Sequence, residues 1–270
     1  METPPELAAD LRAALAREFG GAADPLVDRL EAVRPGLWRC RFRWREEGGG
    51  AHAAWLAVRR PADGGLARRE ARALETAQRA GVAAPTVWLS EPFLVVDWIA
   101  GESFAAAWRR RDPRAAPEAL GQTLAELHGA TERPAERDPV GGRLSAVADR
   151  ARALGLDDLV DAAAALRPGR PRAATMALCH GDFRPEQLLL TAGDPTLVGW
   201  SRAGIGDPRL DLAKASIYLR DQFGGALRSP FLRVYRQVRS VAPDELEWFE
   251  RLAELEQRLA SAEAAGAAER

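Results

Sequence analysis

The sequence predicts an α+β fold of two lobes, a small antiparallel β N-lobe and a mainly helical C-lobe. Three observations predict it. Residues 36–45 (GLWRCRFRWR) alternate apolar and basic side chains, the period of a half-buried strand, and a second strand-like run at 52–60 (HAAWLAVRR) follows a glycine-rich turn. From Gly101 onward the apolar spacing becomes almost wholly helical. The chain has 270 residues, 47% hydrophobic, 29% charged and 7% aromatic. That length corresponds to about two domains, and the composition excludes a mainly disordered chain.

The elements follow in order. Residues 5–19 predict a helix stopped by Gly20-Gly21. The hairpin strands at 36–45 and 52–60 are joined by Glu46-Glu47-Gly48-Gly49-Gly50. Residues 61–65 (PADGG) break the second strand, and 66–80 (LARREARALETAQRA) predict a helix stopped by Gly81. Strands are expected near 86–90 and 93–99, which places an N-lobe over 1–100. The C-lobe, 101–270, carries helical spacing at 103–111, 117–130, 143–154 and 157–166. A Pro/Arg/Gly-rich loop at 167–173 precedes a strand-like cluster between 176 and 200. Helices resume at 209–222, 230–240 and 243–264, the last with an Ala-rich tail expected to fray.

Composition narrows function. The net charge is −1, from 38 basic and 39 acidic residues, without the basic surplus that nucleic-acid binding needs. Cys40 and Cys179 have no metal-type spacing and are expected to be buried, reduced thiols. The N-terminal Met-Glu-Thr-Pro-Pro-Glu has neither a basic nor an apolar region, so no signal peptide is expected. No apolar run reaches membrane-span length, and the expected compartment is the cytoplasm. Lys214 is the one lysine, which excludes chemistry that needs a lysine elsewhere.

The most informative stretch is 178–213 (LCHGDFRPEQLLLTAGDPTLVGWSRAGIGDPRLDLA). His180-Gly181-Asp182 is followed by Gly206-Asp207-Pro208-x-x-Asp211-Leu212-Ala213. Upstream stand Leu124-Ala125-Glu126-Leu127-His128 and Val58-Arg59-Arg60-Pro61 with Arg69-Glu70. In order and spacing these resemble the aminoglycoside phosphotransferase and choline kinase family, relatives of the protein kinases, over roughly residues 30–235. The resemblance implies a two-lobed protein-kinase-like fold. It also implies transfer of phosphate from ATP or GTP, with Mg²⁺, to the hydroxyl of a small molecule.

The resemblance assigns roles to particular positions. Asp182 falls where the family places the carboxylate that orients the acceptor hydroxyl and takes its proton. His180, Arg184, Asp207 and Asp211 fall in its supporting loop. Arg59 holds the strand position that steers the phosphates, with Glu70 as its helix partner. Val96 and Trp98 lie in the strand that leads to the nucleotide-reading hinge. Two metal-binding positions depart from the pattern. Gln187 stands where the family has a metal-binding Asn. Gly199 stands where it has the metal-binding Asp, so that carboxylate is lost. Glu186 is the nearest substitute ligand, and Asp207 reads better as a loop brace. Only Gly36 remains of the expected glycine-rich loop at 34–40, and Arg59 replaces the family lysine with a guanidinium suited to phosphate.

The blander expectations stand beside these. His180 and His128 read as hydrogen-bonded packing residues and His52 as an exposed one. Asp97 and Trp98 read as packing or surface residues. Arg59 and Glu70 are either an ion pair or two solvated charges. Arg109-Arg110-Arg111 reads as a solvated helix end. The glutamates at 245, 247, 250, 254 and 256 read as surface decoration of a long helix, the rival being an acidic face for a cationic substrate. Two functions remain: a phosphotransferase impaired at its metal, or a pseudokinase that binds a nucleotide, a metabolite or a protein partner and needs no cofactor.

Overall fold

Alternation along one nine-residue strand sets the architecture of the N-terminal half. In the computed structural model, Cys40 and Phe42 are fully buried while Arg41 and Arg43 between and beyond them are exposed. The structure describes residues 5–18, 23–45, 50–61, 63–89, 91–130, 133–134, 139–172, 175–192 and 195–268. It divides into two units, Met1–Ser103 with Leu188–Ala203, and Phe104–Gln187 with Gly204–Arg270.

The first unit begins with α1 (Pro5–Glu18), β1 (Ala23–Arg34), β2 (Leu37–Arg45), β3 (Ala51–Arg59) and α2 (Gly64–Arg79). It continues with β4 (Val87–Leu89), β5 (Leu94–Asp97) and β6 (Glu102–Ser103). Strands β1–β5 form one antiparallel sheet in the order β1-β2-β3-β5-β4. Cys40 faces Leu56 across the β2–β3 register. One sheet face packs Cys40, Phe42, Leu56 and Val58 against Leu7, Leu11 and Leu15 of α1. The other packs Leu94 against Ala67 and Ala71 of α2. Since strand side chains alternate, Arg59 next to Val58 belongs to the α2 face. Asp63 caps α2 by accepting from the Gly65 amide at 2.8 Å.

The second unit opens with α3 (Phe104–Arg109), α4 (Pro117–Gly129), β7 (Arg133–Pro134), α5 (Pro139–Ala153), α6 (Asp157–Leu166) and β8 (Thr175–Cys179). The chain then supplies β9 (Leu188–Leu190) and β10 (Thr196–Leu197) to the first unit, where they pair with β6 in the order β10-β9-β6. There, too, the Trp200–Arg202 turn packs on α2, with Trp200 buried. The second unit closes with β11 (Gly204–Gly206), antiparallel to β8, and the helices α7 (Pro208–Phe223), α8 (Gly225–Val238) and α9 (Pro243–Ala268). Its core pairs α4 with α8 and α7 with α9. Among the described residues no helix is long and apolar enough to cross a membrane.

Several elements differ from the sequence expectations, the two-residue strands β6 and β7 among them. Strand β1 was not expected, because its alternation is broken by register shifts and by Asp28, Arg29 and Glu31 on an edge strand. Helix α8 starts at Gly225, ahead of the expected 230, and contains Pro230 in its second turn, where the missing N–H leaves the Ala226 carbonyl without its usual i→i−4 donor. Helix α9 runs on through the Ala-rich segment to Ala268. The Gly20-Gly21 stop and the Glu46–Gly49 turn lie outside the described residues.

Candidate active site

In the second unit, strand β8 delivers His180 and the loop that follows it. Gly181 takes a left-handed backbone (φ +78), and Asp211 in the first turn of α7 secures the bend. One Asp211 oxygen accepts from the His180 amide at 2.7 Å, the other from the Gly181 amide at 2.9 Å. The His128 Nε2 lies 3.2 Å from the same carboxylate, and its Nδ1 lies 2.7 Å from the Tyr235 hydroxyl. A carboxylate can only accept, so Nε2 carries the proton and Tyr235 donates to Nδ1. Burial pushes the Asp211 pKa up, but the hydrogen bonds from the His128 ring and the His180 amide outweigh it and hold the carboxyl below its ordinary range. His180 is fully buried and meets the Phe183 ring edge-on at 6.2 Å. Both histidines are therefore packing residues with hydrogen-bond work.

Asp182 is half-buried, and its Oδ2 accepts from Arg184 Nη2 at 2.7 Å. The Arg184 guanidinium lies 5.5 Å from the Tyr218 ring centre. Tyr218 donates its hydroxyl to Glu186 Oε2 at 3.1 Å. Burial, then the Glu186 charge, raises the Tyr218 pKa. Glu186 also lies 3.8 Å from Arg109, which in turn sits over the Phe223 ring. Arg109 is thus an ion-pair partner as well as a helix end, and Arg110 lies 3.9 Å from Asp112. Gln187 closes the turn by donating its amide N–H to the Arg184 carbonyl at 2.9 Å.

Asp207 caps α7, accepting from the Arg209 amide at 3.0 Å, and both its oxygens bind the Arg209 side chain. Arg209 is buried and also donates to Glu245 and to the Arg172 carbonyl, each at 2.9 Å. Burial alone would lower its pKa, but the two carboxylates raise it. Sequence reasoning missed Arg209. Its signal was the position two residues beyond Asp207 in the Gly206-Asp207-Pro208 motif. Four of the five α9 glutamates reach other elements, while Glu247 stays on the surface as expected. Glu245 binds Arg209, Glu250 binds Ser216 and Arg228, Glu254 binds Arg220, Glu256 binds Lys214 and Arg143, and Glu247 binds Arg251.

In the first unit, Arg59 Nη1 donates to both Glu70 oxygens, at 2.6 and 2.7 Å, so the two form an ion pair. Glu70 is 7% exposed. Its burial raises the carboxyl pKa against the opposing pull of Arg59. Val96 packs on the Ala67, Ala71 and Leu94 cluster. Trp98 donates its amide to the Trp55 carbonyl at 2.8 Å. The Arg39 guanidinium lies 3.8 Å from the Trp55 ring centre and 5.3 Å from that of Trp98. This aromatic and basic group was missed, although the strand period already puts Arg39, Trp55 and Arg59 on one face. Asp97 does more than pack: it accepts from the Thr86 amide at 3.0 Å and from the Trp88 indole at 2.6 Å, pinning β4 to β5. Gly199 is left-handed (φ 82, ψ 40) and caps the Trp200–Arg202 turn.

The donors do not fit a Mg²⁺ ion held by the chain's own carboxylates. Such an ion takes hard oxygens in near-octahedral geometry, usually including one or two carboxylates. Within the second unit, Glu186 is committed to Tyr218 and Arg109, Asp207 to Arg209, and one Asp182 oxygen to Arg184. Gln187 offers one neutral amide oxygen. Within the first unit, Gly199 offers no side chain at all. One ligand-type cluster exists among the described residues, His128, Cys179 and Asp211. It is fully buried, its polar atoms serve the loop bend, and burial drives the Cys179 thiol pKa well up, away from the thiolate a metal needs.

Residues 41–249 match the family model described as the phosphotransferase enzyme family. An aminoglycoside 3'-phosphotransferase from Streptomyces fradiae is 31% identical over 212 residues, covering 68% of this chain and 78% of that protein. Among solved structures, a choline/ethanolamine kinase family protein from Mesorhizobium loti superposes with a TM-score of 0.60 at 23% identity, over 94% of this chain and 84% of that one. A thermostable aminoglycoside phosphotransferase APH(4)-Ia variant, crystallised with AMP-PNP and hygromycin B, superposes with a TM-score of 0.56 at 18% identity, over 95% of this chain and 92% of that one. At these identities the structural matches establish a shared fold of the protein-kinase-like type.

Proposed function

The chain belongs to the phosphotransferase enzyme family, and from that premise we propose that it is a small-molecule O-phosphotransferase weakened at its metal position. The acceptor oxygen forms a bond to the γ-phosphorus of a nucleoside triphosphate. The bond from that phosphorus to the β–γ bridging oxygen breaks, and its electron pair leaves with the diphosphate. Asp182 takes the proton of the acceptor hydroxyl, and Asp211 holds the loop that presents it. Arg59, steadied by Glu70, donates to the nucleotide phosphates. Val96 and Trp98 lie beside the base. ATP is the proposed donor, in keeping with the AMP-PNP bound by a structural neighbour, and GTP is the competitor to assay against it.

Mg²⁺ bound by the family's residues supplies charge neutralisation at the transferring phosphoryl group. Here the observation that carries the reading of impairment is Gly199, where no carboxylate exists to hold such an ion. Each 1.36 kcal/mol of lost stabilisation is about tenfold in rate. The same observation favours a second reading, a pseudokinase that binds nucleotide, metabolite or protein partner without turnover. The cytoplasm, which holds nucleotides and keeps thiols reduced, is the compartment proposed in either case.

The test is ADP release from ATP or GTP with a panel of hydroxyl acceptors, for the natural chain, Asp182→Asn and Gly199→Asp. The expected result is slow turnover, lost by about 10²-fold or more in Asp182→Asn and raised at least about tenfold in Gly199→Asp. Turnover unchanged in Asp182→Asn refutes the assignment of the base. Absence of turnover in both the natural chain and Gly199→Asp selects the pseudokinase.

A further inference from the structure

The groups around Asp182 carry information about the acceptor. An acceptor hydroxyl must come within hydrogen-bond reach of the carboxylate that takes its proton. Anything attached close to that hydroxyl therefore meets Arg184, whose Nη2 is 2.7 Å from Asp182 Oδ2. A guanidinium has five N–H donors. One is spent on Asp182 and another on the Tyr218 hydroxyl, and the buried Nε has no hydrogen-bond partner among the described residues. The Tyr218 ring braces the guanidinium at 5.5 Å. The neighbouring carboxylate, Glu186, is spent on the Tyr218 hydroxyl and faces a second guanidinium, Arg109. Of the charged groups tied to Asp182, Arg184 thus keeps donors to spare while Glu186 is already committed. An ammonium next to the reacting hydroxyl meets the like charge of Arg184. A carboxylate or phosphate finds a planar, charge-assisted partner there.

Resting on the reading of Asp182 as the base, we infer that the acceptor is an acidic hydroxyl compound. Its anionic group, carboxylate or phosphate ester, lies a few bonds from the reacting hydroxyl and is read by Arg184. Arg184 is then a specificity-determining residue, and a polycationic aminoglycoside is disfavoured at this loop.

The test is calorimetric binding to the full chain without nucleotide. The probes are D-glycerate and gluconate as hydroxy acids, glycerol 3-phosphate as a phosphate ester, glycerol as the neutral control and kanamycin as the polycation. The expected result is that at least one acid binds at least tenfold more tightly than glycerol and kanamycin, and that Arg184→Gln removes this preference while Arg184→Lys keeps part of it. The acid that binds identifies carboxylate or phosphate as the group read. Kanamycin binding as tightly as the best acid, no acid binding, or acid binding unchanged in Arg184→Gln overturns the inference. If Arg184→Gln fails to fold, the ranking of probes on the natural chain decides alone. A parallel titration with ATP separates the two claims. Nucleotide binding without acid preference sinks the inference and spares the phosphotransferase reading. Acid preference without nucleotide binding does the reverse.

Discussion

Asp211 has three donors within reach of the two oxygens of its buried carboxylate, the His180 and Gly181 amides and the His128 ring. Each buried donor left without its acceptor costs about 1–3 kcal/mol, so Asp211→Asn is expected to destabilise the chain by about 3 kcal/mol at neutral pH. The pH dependence has a definite sign. The folded carboxyl titrates below its ordinary range, while an unfolded aspartate titrates near about 3.9. The stabilisation is therefore complete above that value and is lost as pH falls through the folded pKa. Urea unfolding of both proteins is expected to give a difference that shrinks below about pH 4. A difference that grows on acidification contradicts it. At this scale the motif residues Asp182, Asp207 and Asp211 were legible by resemblance. Arg184 was placed in the same loop, but Arg209 was not. It looks like one of many surface arginines in a chain with a single lysine, and only its packing shows that it is buried on Asp207.

Among the elements, strands β2 and β3 and helix α2 were legible because burial follows their period. Strand β1 was not, because an edge strand buries little: Leu26 and Val33 are exposed and Val27 carries the contact with the core. Helix packing was also hidden. Gly121 lies mid-helix in α4, where Ala normally gains about 1 kcal/mol over Gly. Here an added Cβ would stand 2.5 Å from the Phe231 carbonyl and 3.1 Å from the Tyr235 amide on α8. Both are backbone atoms and cannot step aside alone. Gly121→Ala is therefore expected to reverse the usual sign and cost about 1–3 kcal/mol, read as a lower urea midpoint. A raised midpoint shows that α4 and α8 separate freely.

Over the whole molecule, the two units carry different parts of the proposed machinery. The first contributes the Arg59–Glu70 pair and Gly199, the second the Asp182 loop. The family pattern made both parts legible, because motif order survives when individual ligands change. It could not show that Glu186 and Asp207, the remaining acidic candidates for a metal, are already paired with Tyr218, Arg109 and Arg209. The two thiols fit the same picture of inert interiors: burial pushes Cys40 up to about 12, and Cys179 also rises well above its ordinary value. The most direct measurement is a thermal-shift titration with ATP, with and without Mg²⁺, on the natural chain and on Gly199→Asp. A ligand at about 100 times its dissociation constant adds about 2.7 kcal/mol, enough to move the midpoint by several degrees. The predicted result is an ATP shift in the natural chain that Mg²⁺ leaves unchanged, and an added Mg²⁺-dependent shift in Gly199→Asp. A Mg²⁺-dependent shift in the natural chain as large as in the variant, or no ATP shift in either, contradicts the account.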